Sequence, residues 1–531
     1  MPENFKELLK QDFSDLEAAI RSWQKLAKEL EEAQVQHRHK VTGPLHASEW
    51  QGAGASDAFV KMEDSESQLG IAQSDVTSIA SILDTVHTEM KSAQDQLRQS
   101  VRTAEADGFT VDDHGNVTDS RSSPTGNADE EAQEENALRA AVMAGYKNDI
   151  QFALDEARTT DWKGTQLLQK IDAFALDKGY GAQAAKDAAR EVAGFSHIDE
   201  DSIPSKKDPK ENAKWWAGLS EQERQLYLDA YPEKIGWLDG IPSVDRDEAN
   251  RKALDTSLAN YDLKRQNGEL GIHDQGSYNG LRNLQNALDK ADGSSDDSKR
   301  MYVLGIDTKH DGRAVFSQGN PDTARNVAIQ VPGTDNDLAN LDEQVDRVDR
   351  LQQAAVDNGA KNTAVVSWLG YDTPETDNSM FSTGRADPAG GDLRSFTHGL
   401  RETHEGDRAH MTVLGHSYGS TVVGVGASRG GGLDADNIVV VGSPGMTVEH
   451  AKDLNINPDH VWAGGAEDDF VSNHTSGLTL GEDPMEKEFG GKVIEVDTEG
   501  HGGYWDMGST SLRNQGRIIA GRDASEGDYH S

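Results

Sequence analysis

The chain has 531 residues, which is enough for two or three domains and at least one large hydrophobic core. Its formal net charge of −41 opposes binding to nucleic acid or anionic lipid, because both are polyanions. The absence of cysteine excludes disulfides, thiolate metal sites and a cysteine nucleophile.

No conventional targeting segment is predicted at the start of the sequence. Residues 1–20 are acidic and amphipathic, without the basic and apolar regions of a signal peptide. No stretch of about 18 consecutive apolar residues occurs, so no transmembrane helix is predicted. We therefore expect a cytoplasmic protein by default, with export by another route as the alternative.

Residues 1–104 are predicted to form an antiparallel helical hairpin. Two apolar seams repeat in heptad-like steps, and the break at Thr42-Gly43-Pro44 separates them. Trp50-Gln51-Gly52 lies near the bend, where glycine permits a tight backbone path. The seams are formed by Phe5, Leu9, Phe13, Leu16, Ile20, Trp23, Leu26 and Leu30, and by Val76, Ile79, Leu83, Val86, Met90, Leu97 and Val101.

A hairpin of this length with Trp-x-Gly near its bend resembles the WXG100 (ESX-type) family, the small helical substrates of type VII secretion. This resemblance implies export by a type VII route. The family's export signal, Tyr-x-x-x-Asp/Glu after the second helix, is not evident, because Ile150 stands four residues after Tyr146. Tyr371 and Glu375 have the right spacing but lie inside the predicted catalytic domain. A dimerisation or scaffold hairpin that binds a second copy or a partner helix is the alternative.

Residues 105–213 are predicted to be a polar connecting region that includes a helix from about Ala132 to Arg158. Residues 214–297 are predicted to be a helical segment that precedes the catalytic domain. This segment contains an unusual run of motifs: Trp215-Trp216-Ala217-Gly218, Tyr231-Pro232-Glu233-Lys234, Leu238-Asp239-Gly240 and Arg246-Asp247-Glu248-Ala249-Asn250-Arg251. The run resembles the segment before the hydrolase core in an actinobacterial α/β-hydrolase family labelled DUF1023.

Residues 298–531 are predicted to be the catalytic domain, with a doubly wound, mostly parallel sheet of the α/β-hydrolase type. Short β-branched runs alternate there with helical patterns, the clearest helices being Leu338–Ala355 and Ser417–Ala427. The predicted strands are Met301–Ile306, Ala314–Ser317, Val327–Val331, Thr363–Trp368, Met411–Leu414, Ile438–Val441, His460–Ala463 and Val493–Val496.

The decisive motif is the pentapeptide Gly415-His416-Ser417-Tyr418-Gly419 between a predicted buried strand and a predicted helix. A Gly-x-Ser-x-Gly turn in this context forces the serine into a strained conformation at the carboxyl end of the strand. The helix that follows offers free N–H groups to an oxyanion. Ser417 is therefore the predicted nucleophile of a serine hydrolase.

A serine nucleophile needs a base and an orienting acid, which follow it in the chain as acid and then histidine. Asp468 and Asp469 follow the strand that ends at Ala463, and the Gly-x-x-Asp-x-apolar pattern of the resembling family favours Asp468, with Asp469 as the rival. His501 lies in a glycine-rich loop after the last strand, where that family carries His-x-x-Tyr. We prefer it over the competing histidines His416 and His474.

Two backbone amides are expected to form the oxyanion hole. One belongs to Tyr418, directly after the nucleophile, and the other to Thr334, in the loop after the third strand. Three further residues follow strands and are candidates to shape the substrate pocket: Tyr371, Asp372 and Met446.

Without an HExxH, Walker-type or dinucleotide motif, no cofactor and no metal are predicted. The sequence thus predicts an esterase- or lipase-like serine hydrolase that acts on a small-molecule or lipid ester. The alternative function is that of a type VII-secreted or surface interaction protein, in which the hairpin is the functional module and the hydrolase domain is accessory.

Overall fold

The computed structural model describes residues 5–46, 48, 50, 52–121, 130–174, 181–204, 208–474 and 480–530. The chain forms two compact units, one of Met1–Glu32 with Leu69–Asp199, the other of Ala33–Gln68 with Glu200–Ser531. The four-part division predicted from the sequence stays a prediction. Within the described ranges, no helix is both long enough and apolar enough to cross a bilayer.

The first part of the chain is helical apart from one two-stranded antiparallel ribbon, formed by β1 (Phe109–Val111) and β2 (Val117–Asp119). A π-helix, Arg38–Thr42, continues the second helix across the predicted break. The helices are α1 (Phe5–Lys10), α2 (Ser14–His37), α3 (Gly43–His46), α4 (Ala53–Ala106), α5 (Glu130–Phe174) and α6 (Ala182–Phe195).

In the first unit, the N-terminal helices and α4 are paired in antiparallel order. Gln94 Nε2 donates hydrogen bonds to the carbonyl oxygens of Leu8 and Gln11, at 2.7 and 2.9 Å. The Phe13 ring meets the His87 ring edge-on at 5.8 Å. The contact partner in α4 thus moves from residue 94 back to residue 87 as the N-terminal chain runs from residue 8 to residue 13, which is the order of an antiparallel pair. The WXG100 resemblance itself stays a prediction.

The tripeptide near the predicted bend is only partly described. Trp50 is about half exposed, with 48% of its surface accessible, and its ring meets Phe59 edge-on at 6.3 Å. Gly52 has a φ of 103°, in the region that favours glycine. Gln51 lies outside the described residues.

The second unit contains a mixed eight-stranded sheet in the order β10-β9-β8-β7-β5-β6-β4-β3. Pairing is parallel from β10 to β6, and antiparallel where β4 meets β6 and β3. The strands are β3 (Met301–Asp307), β4 (Arg313–Gln318), β5 (Asn326–Val331), β6 (Thr363–Leu369), β7 (His410–His416), β8 (Asn437–Val441), β9 (Val461–Gly464) and β10 (Lys492–Val493).

Helices cover both faces of this sheet and close two hydrophobic cores, which confirms the predicted doubly wound, mostly parallel fold. Leu393 and Val422 pack in the core on one face, and Leu284 and Leu351 pack in the core on the other. The helices of this unit are α7 (Pro209–Gly218), α8 (Glu221–Ala230), α9 (Pro232–Ile235), α10 (Ser243–Gln266), α11 (Ile272–Asp292), α12 (Leu341–Asp357), α13 (Ala386–Thr403), α14 (Tyr418–Ser428), α15 (Phe470–His474) and α16 (Thr510–Ile519).

All eight predicted strands are present, and only β10 differs clearly from its predicted range. It ends at Val493 instead of Val496 because the chain then pairs with the C-terminal segment. Ile494 forms an antiparallel bridge with Glu526, and the Glu495 N–H donates to the carbonyl of Ser525 at 3.0 Å.

The unusual run at residues 246–251 lies on α10, against the edge strand β3. Its buried polar side chains bind backbone groups of that strand. Asn250 Nδ2 donates to the Val303 carbonyl at 3.1 Å, and the Val303 N–H donates to Asp247 at 2.7 Å. Arg246 donates to the carbonyl of Leu304, to that of Gly236 and to the Asp239 carboxylate. Because an uncovered edge strand invites pairing with other chains, α10 protects this side of the sheet.

We predict that Arg246→Met lowers the free energy of unfolding of this unit by about 3–5 kcal/mol, because it leaves the buried Asp239 carboxylate without its partner. Urea denaturation followed by circular dichroism measures the loss. The double variant Arg246→Met/Asp239→Asn should recover part of it, since the uncompensated charge is gone. Equal losses in the single and double variants would contradict the ion-pair explanation.

Candidate active site

Ser417 occupies a strained turn between β7 and α14. Its φ is 53° and its ψ is −131°, in a region that non-glycine residues rarely adopt. A Cβ at Gly415 would lie 2.7 Å from the Ser420 Cα, and one at Gly419 would lie 2.2 Å from the Val331 carbonyl oxygen. Both positions therefore require glycine. The turn holds the serine at the carboxyl end of β7, as a nucleophile elbow does.

His501 is paired with Asp469. Its Nδ1 lies 2.9 Å from each carboxylate oxygen of Asp469, which is the contact expected between a base and its orienting acid. The Asp469 side chain is fully buried, whereas about a third of the His501 side chain is exposed. The imidazole thus has one nitrogen fixed by a buried carboxylate and the rest of its ring towards the open side of the site.

Asp468, which the sequence favours over Asp469 as the acid, has a different hydrogen-bond partner. Asp468 Oδ1 instead accepts a hydrogen bond from the Gly500 N–H at 2.7 Å. The physical reason is the turn after β9, in which the Asp469 N–H donates to the Ala466 carbonyl at 3.1 Å. This turn directs Asp469 inward and leaves Asp468 on the exposed side.

Tyr504 completes the surroundings of the buried carboxylate. Its hydroxyl donates to Asp469 Oδ2 at 2.5 Å and accepts from the Ala466 N–H at 3.1 Å. Burial alone would raise the pKa of Asp469, but hydrogen bonds from His501, Tyr504 and the Val471 N–H outweigh it and hold this pKa below its ordinary value. Asp469 is therefore ionised at neutral pH.

Gly442, at the end of β8, brings the elbow and the His501–Asp469 pair together. The Ser417 N–H donates to the Val441 carbonyl at 3.1 Å. A Cβ at Gly442 would lie 2.9 Å from Asp469 Oδ2 and 3.1 Å from His501 Cε1. Within the part of the chain that the structure describes, the Ser417 hydroxyl forms no hydrogen bond with His501, and catalytic contacts of this kind often tighten only when substrate binds.

The loop after β5 lies against Ser417. A Cβ at Gly333 would be 2.6 Å from the Ser417 Cβ, so this position also requires glycine. Asn336 Nδ2 donates to the carbonyls of Gly333 and Thr334, at 2.9 and 3.0 Å. In a trans peptide the N–H points opposite to the carbonyl, so the Thr334 N–H points away from Asn336. Tyr418 is the first residue of α14, where N–H groups have no partner within the helix.

The three residues considered for the substrate pocket have structural contacts. Tyr371 is buried and donates to the Pro332 carbonyl at 2.7 Å, which supports the loop beside Ser417. Asp372 forms an ion pair with Arg385. Met446 is fully buried, and its backbone packs against Gly424 in α14.

The elbow residue His416 contacts His501 directly, a role that the sequence did not reveal. The two ring centroids are 4.7 Å apart, and His416 Nε2 lies 2.8 Å from the His501 carbonyl oxygen. Burial holds the pKa of His416 well below its usual range, so the ring is neutral and Nε2 carries the proton that it donates. The other competitor, His474, ends α15, and its side chain lies outside the described residues.

A family model described as alpha/beta hydrolase matches residues 307–479, about a third of the chain. This range includes the strained Ser417 and the buried Asp469. The chain has an α/β-hydrolase fold. The match ends before the loop that carries His501, and the DUF1023 label stays a prediction.

The chain also has relatives in Mycobacterium tuberculosis. One uncharacterized protein is 29% identical over 361 residues, which cover 58% of this chain and 55% of that protein. A second uncharacterized protein is 28% identical over 204 residues, which cover 36% of this chain and 73% of that protein. The chain thus spans about half the length of the first of these relatives.

Two solved structures give low-scoring matches to the chain. The crystal structure of esterase PE8 matches with a TM-score of 0.28 and 11% identity over 38% of this chain and 95% of that one. An α/β serine hydrolase from Xanthomonas campestris matches with a TM-score of 0.27 and 12% identity over 41% of this chain and 93% of that one. Scores this low carry no weight for function.

We predict that Tyr504→Phe lowers the free energy of unfolding by about 1.5–3 kcal/mol at pH 7, because it removes a hydrogen bond to a buried charged group. Since folding lowers the pKa of Asp469, this stabilisation is complete above the ordinary value of 3.8 and is lost as the pH falls through the lowered pKa. Urea denaturation at several pH values measures both effects.

Tyr529→Phe is the matched control, because that hydroxyl bonds the Gly491 carbonyl on a side chain that is 44% exposed. Its effect should stay within about 0.5 kcal/mol, as for surface substitutions in general. An equal effect of the two substitutions would contradict the importance of the Tyr504–Asp469 contact.

Proposed function

We propose that the α/β-hydrolase segment is a serine hydrolase that cleaves an ester-like bond through Ser417, His501 and Asp469. The observation that carries this proposal is that a strained serine at the carboxyl end of β7 and a carboxylate–imidazole pair beyond the end of β9 both lie against the end of β8, the strand between them. A serine in this conformation is strained, and in a nucleophile elbow the strained turn directs the hydroxyl towards a bound substrate.

In the proposed reaction, the Ser417 oxygen attacks the carbonyl carbon of the ester while its proton passes to Nε2 of His501. The imidazolium then returns this proton to the alcohol oxygen as the acyl–oxygen bond breaks, and an acyl-enzyme remains. A water molecule repeats both steps, releases the acid and restores the serine. Asp469 stabilises the imidazolium, because its carboxylate is ionised and bonded to Nδ1.

The oxyanion of each tetrahedral intermediate would be bound by the N–H groups of Tyr418 and Thr334. The support for Thr334 is the fixation of its loop, in which the carbonyls of residues 332–334 all accept hydrogen bonds from buried side chains. Gln344 further holds Asn336 at 2.5 Å. A donor fixed in this way already points at the position of the oxyanion, so it does not have to reorganise during the reaction. Such preorganised donors are the main source of oxyanion stabilisation.

The type VII export route and a partner for the N-terminal hairpin stay predictions, as does the alternative of an interaction protein. The chemistry proposed for Ser417 does not depend on the export route or on a partner of the hairpin. Comparing the ester-hydrolysing activity of the full chain with that of its Ser417→Ala variant separates an enzyme from an accessory domain.

We predict that a fluorophosphonate probe labels the wild type but not Ser417→Ala, because the probe reacts only with an activated serine hydroxyl. Labelling is read by gel fluorescence or by intact mass. Ser420→Ala is the matched control, since that hydroxyl is fully buried one turn later in α14 and has no hydrogen-bond partner. Equal labelling of wild type and Ser417→Ala would overturn the assignment.

We predict that Asp469→Asn lowers kcat by about 10⁴-fold, because the amide holds the imidazole in the wrong tautomer. Asp468→Asn keeps an acceptor for the Gly500 N–H and should change kcat by less than about tenfold, within the 1.4 kcal/mol that this factor represents. Steady-state hydrolysis of a chromogenic ester measures both variants. A larger loss in Asp468→Asn would restore Asp468 as the acid.

A further inference from the structure

Three potential metal ligands converge in the second unit, away from the residues assigned to catalysis. His46 Nε2 lies 3.6 Å from Asp289 Oδ2 and 3.8 Å from Glu63 Oε1. All three ligand atoms lie within 4.8 Å of one another. Two ligands of a tetrahedral zinc ion at 2.0–2.2 Å from the metal are about 3.4 Å apart, so small side-chain shifts suffice to coordinate one ion.

The polar atoms of this cluster lack the partners that burial requires. His46 Nε2 and Asp289 Oδ2 are both buried and have no hydrogen bond. Only 5% of Asp289 is exposed, and among the described residues no lysine or arginine lies within ion-pair distance of its carboxylate.

Three acidic side chains in and around this cluster, in contrast, pair with arginine. Glu66 pairs with Arg38 at 2.6 Å, and Asp292 pairs with Arg251 at 2.9 Å. Glu63 uses its other oxygen, Oε2, to bind Arg282 at 3.1 Å. These pairs use the nearby arginines and leave the buried Asp289, among the described residues, without a lysine or arginine partner. Such a buried carboxylate is costly unless a cation binds it.

The backbone is shaped to bring His46 against Asp289. A Cβ at Gly43 would lie 2.3 Å from the Gly293 backbone nitrogen, and a Cβ at Gly293 would lie 2.2 Å from the Gly43 carbonyl carbon. Two glycines at the contact allow α3 to meet the end of α11 backbone to backbone. Gly43 was predicted to break the chain between two helices, but the structure uses it for this close approach.

The cluster borders a cavity of about 910 Å³, so an ion has access to it and water can complete its coordination. His46 and Glu63 line the cavity, together with Phe59, whose ring stacks on His46 at 4.5 Å, and with Asp64, Asp262 and Arg282. The stacked ring fixes the plane of the imidazole, as the surroundings of metal-binding histidines commonly do.

We propose that His46, Glu63 and Asp289 bind a divalent first-row transition-metal ion, with zinc as the expected ion. One imidazole with two carboxylates is a ligand set that suits zinc better than magnesium or calcium, which prefer oxygen ligands alone. Bound there, the ion joins α3 and the start of α4 to α11, so it stabilises the second unit.

The test uses the full chain after removal of metal with a chelator. Zinc binding is measured by isothermal titration calorimetry, and its effect on stability by the shift in Tm. We expect a saturable site whose occupation raises Tm by about 3 °C or more. Magnesium at the same concentration should leave Tm unchanged, because it would gain nothing from the imidazole.

Two ligand variants and one matched control make the test specific. His46→Gln and Asp289→Asn should each weaken zinc binding by about 100-fold or more. Replacing a residue that only supports a metal ligand already costs up to about 100-fold in affinity, and the loss of a ligand should cost at least as much. Asp64→Asn is the matched control, because Asp64 lines the same cavity without belonging to the cluster. The affinity of this variant for zinc should stay within a few-fold of that of the wild type.

Asp289→Asn also guards against a loss of binding through misfolding. Because this substitution replaces a buried carboxyl that has no cationic partner with a neutral amide of the same shape, the Tm of the metal-free variant should equal or exceed that of the metal-free wild type. Unchanged zinc affinity in both ligand variants would overturn the proposal. So would the absence of a saturable site in the wild type.

Discussion

The close approach of the elbow to the loop after β5 is the constraint on which the candidate site depends. A side chain at position 419 would collide with the carbonyls of Val331 and Pro332, and a side chain at position 333 would collide with Ser417. Glycine is therefore required at both positions. The adjacent parallel strands β5 and β7 end at this point, so their loops share one rim of the sheet. Ser417 and the loop that carries Thr334 are therefore positioned by backbone packing, so their relative position does not depend on side-chain rotation.

The polar residues of α10 place a second constraint on the sheet. A buried edge strand whose N–H and C=O groups lack partners would be unstable, and Asp247, Asn250 and Arg251 supply those partners to β3. The composition of the run at residues 246–251, which is unusual for a helix interior, thus has a local explanation. The segment before the catalytic core belongs to the packing of the sheet.

Much of the fold was predictable because it is encoded locally. The β-branched runs of β3 to β9 and the glycines of the elbow mark strands and a turn whatever the rest of the chain does. The acid was not fixed in this way, since Asp468 and Asp469 are adjacent and fit the same pattern. Only the turn from Ala466 decides which of the two faces the imidazole.

Features that depend on distant residues could not be read from the sequence. The sequence favours His501 over His416 as the base, and it does not indicate that the His416 ring lies against His501, which a separate loop supplies. The cluster of His46, Glu63 and Asp289 has no spacing that resembles a metal motif, because each ligand comes from a different helix. Long-range packing determines both arrangements.

The two neighbouring aspartates hold the loop of His501 from two sides. Asp468 binds the backbone of Gly500, and Asp469 binds the imidazole of the next residue. Both the path of the loop and the rotation of the ring are thereby restricted. The conformational entropy of this glycine-rich loop is lost when the chain folds, so no further ordering of the loop is needed when a ligand binds. A loop whose sequence implies mobility can in this way carry an imidazole of fixed orientation.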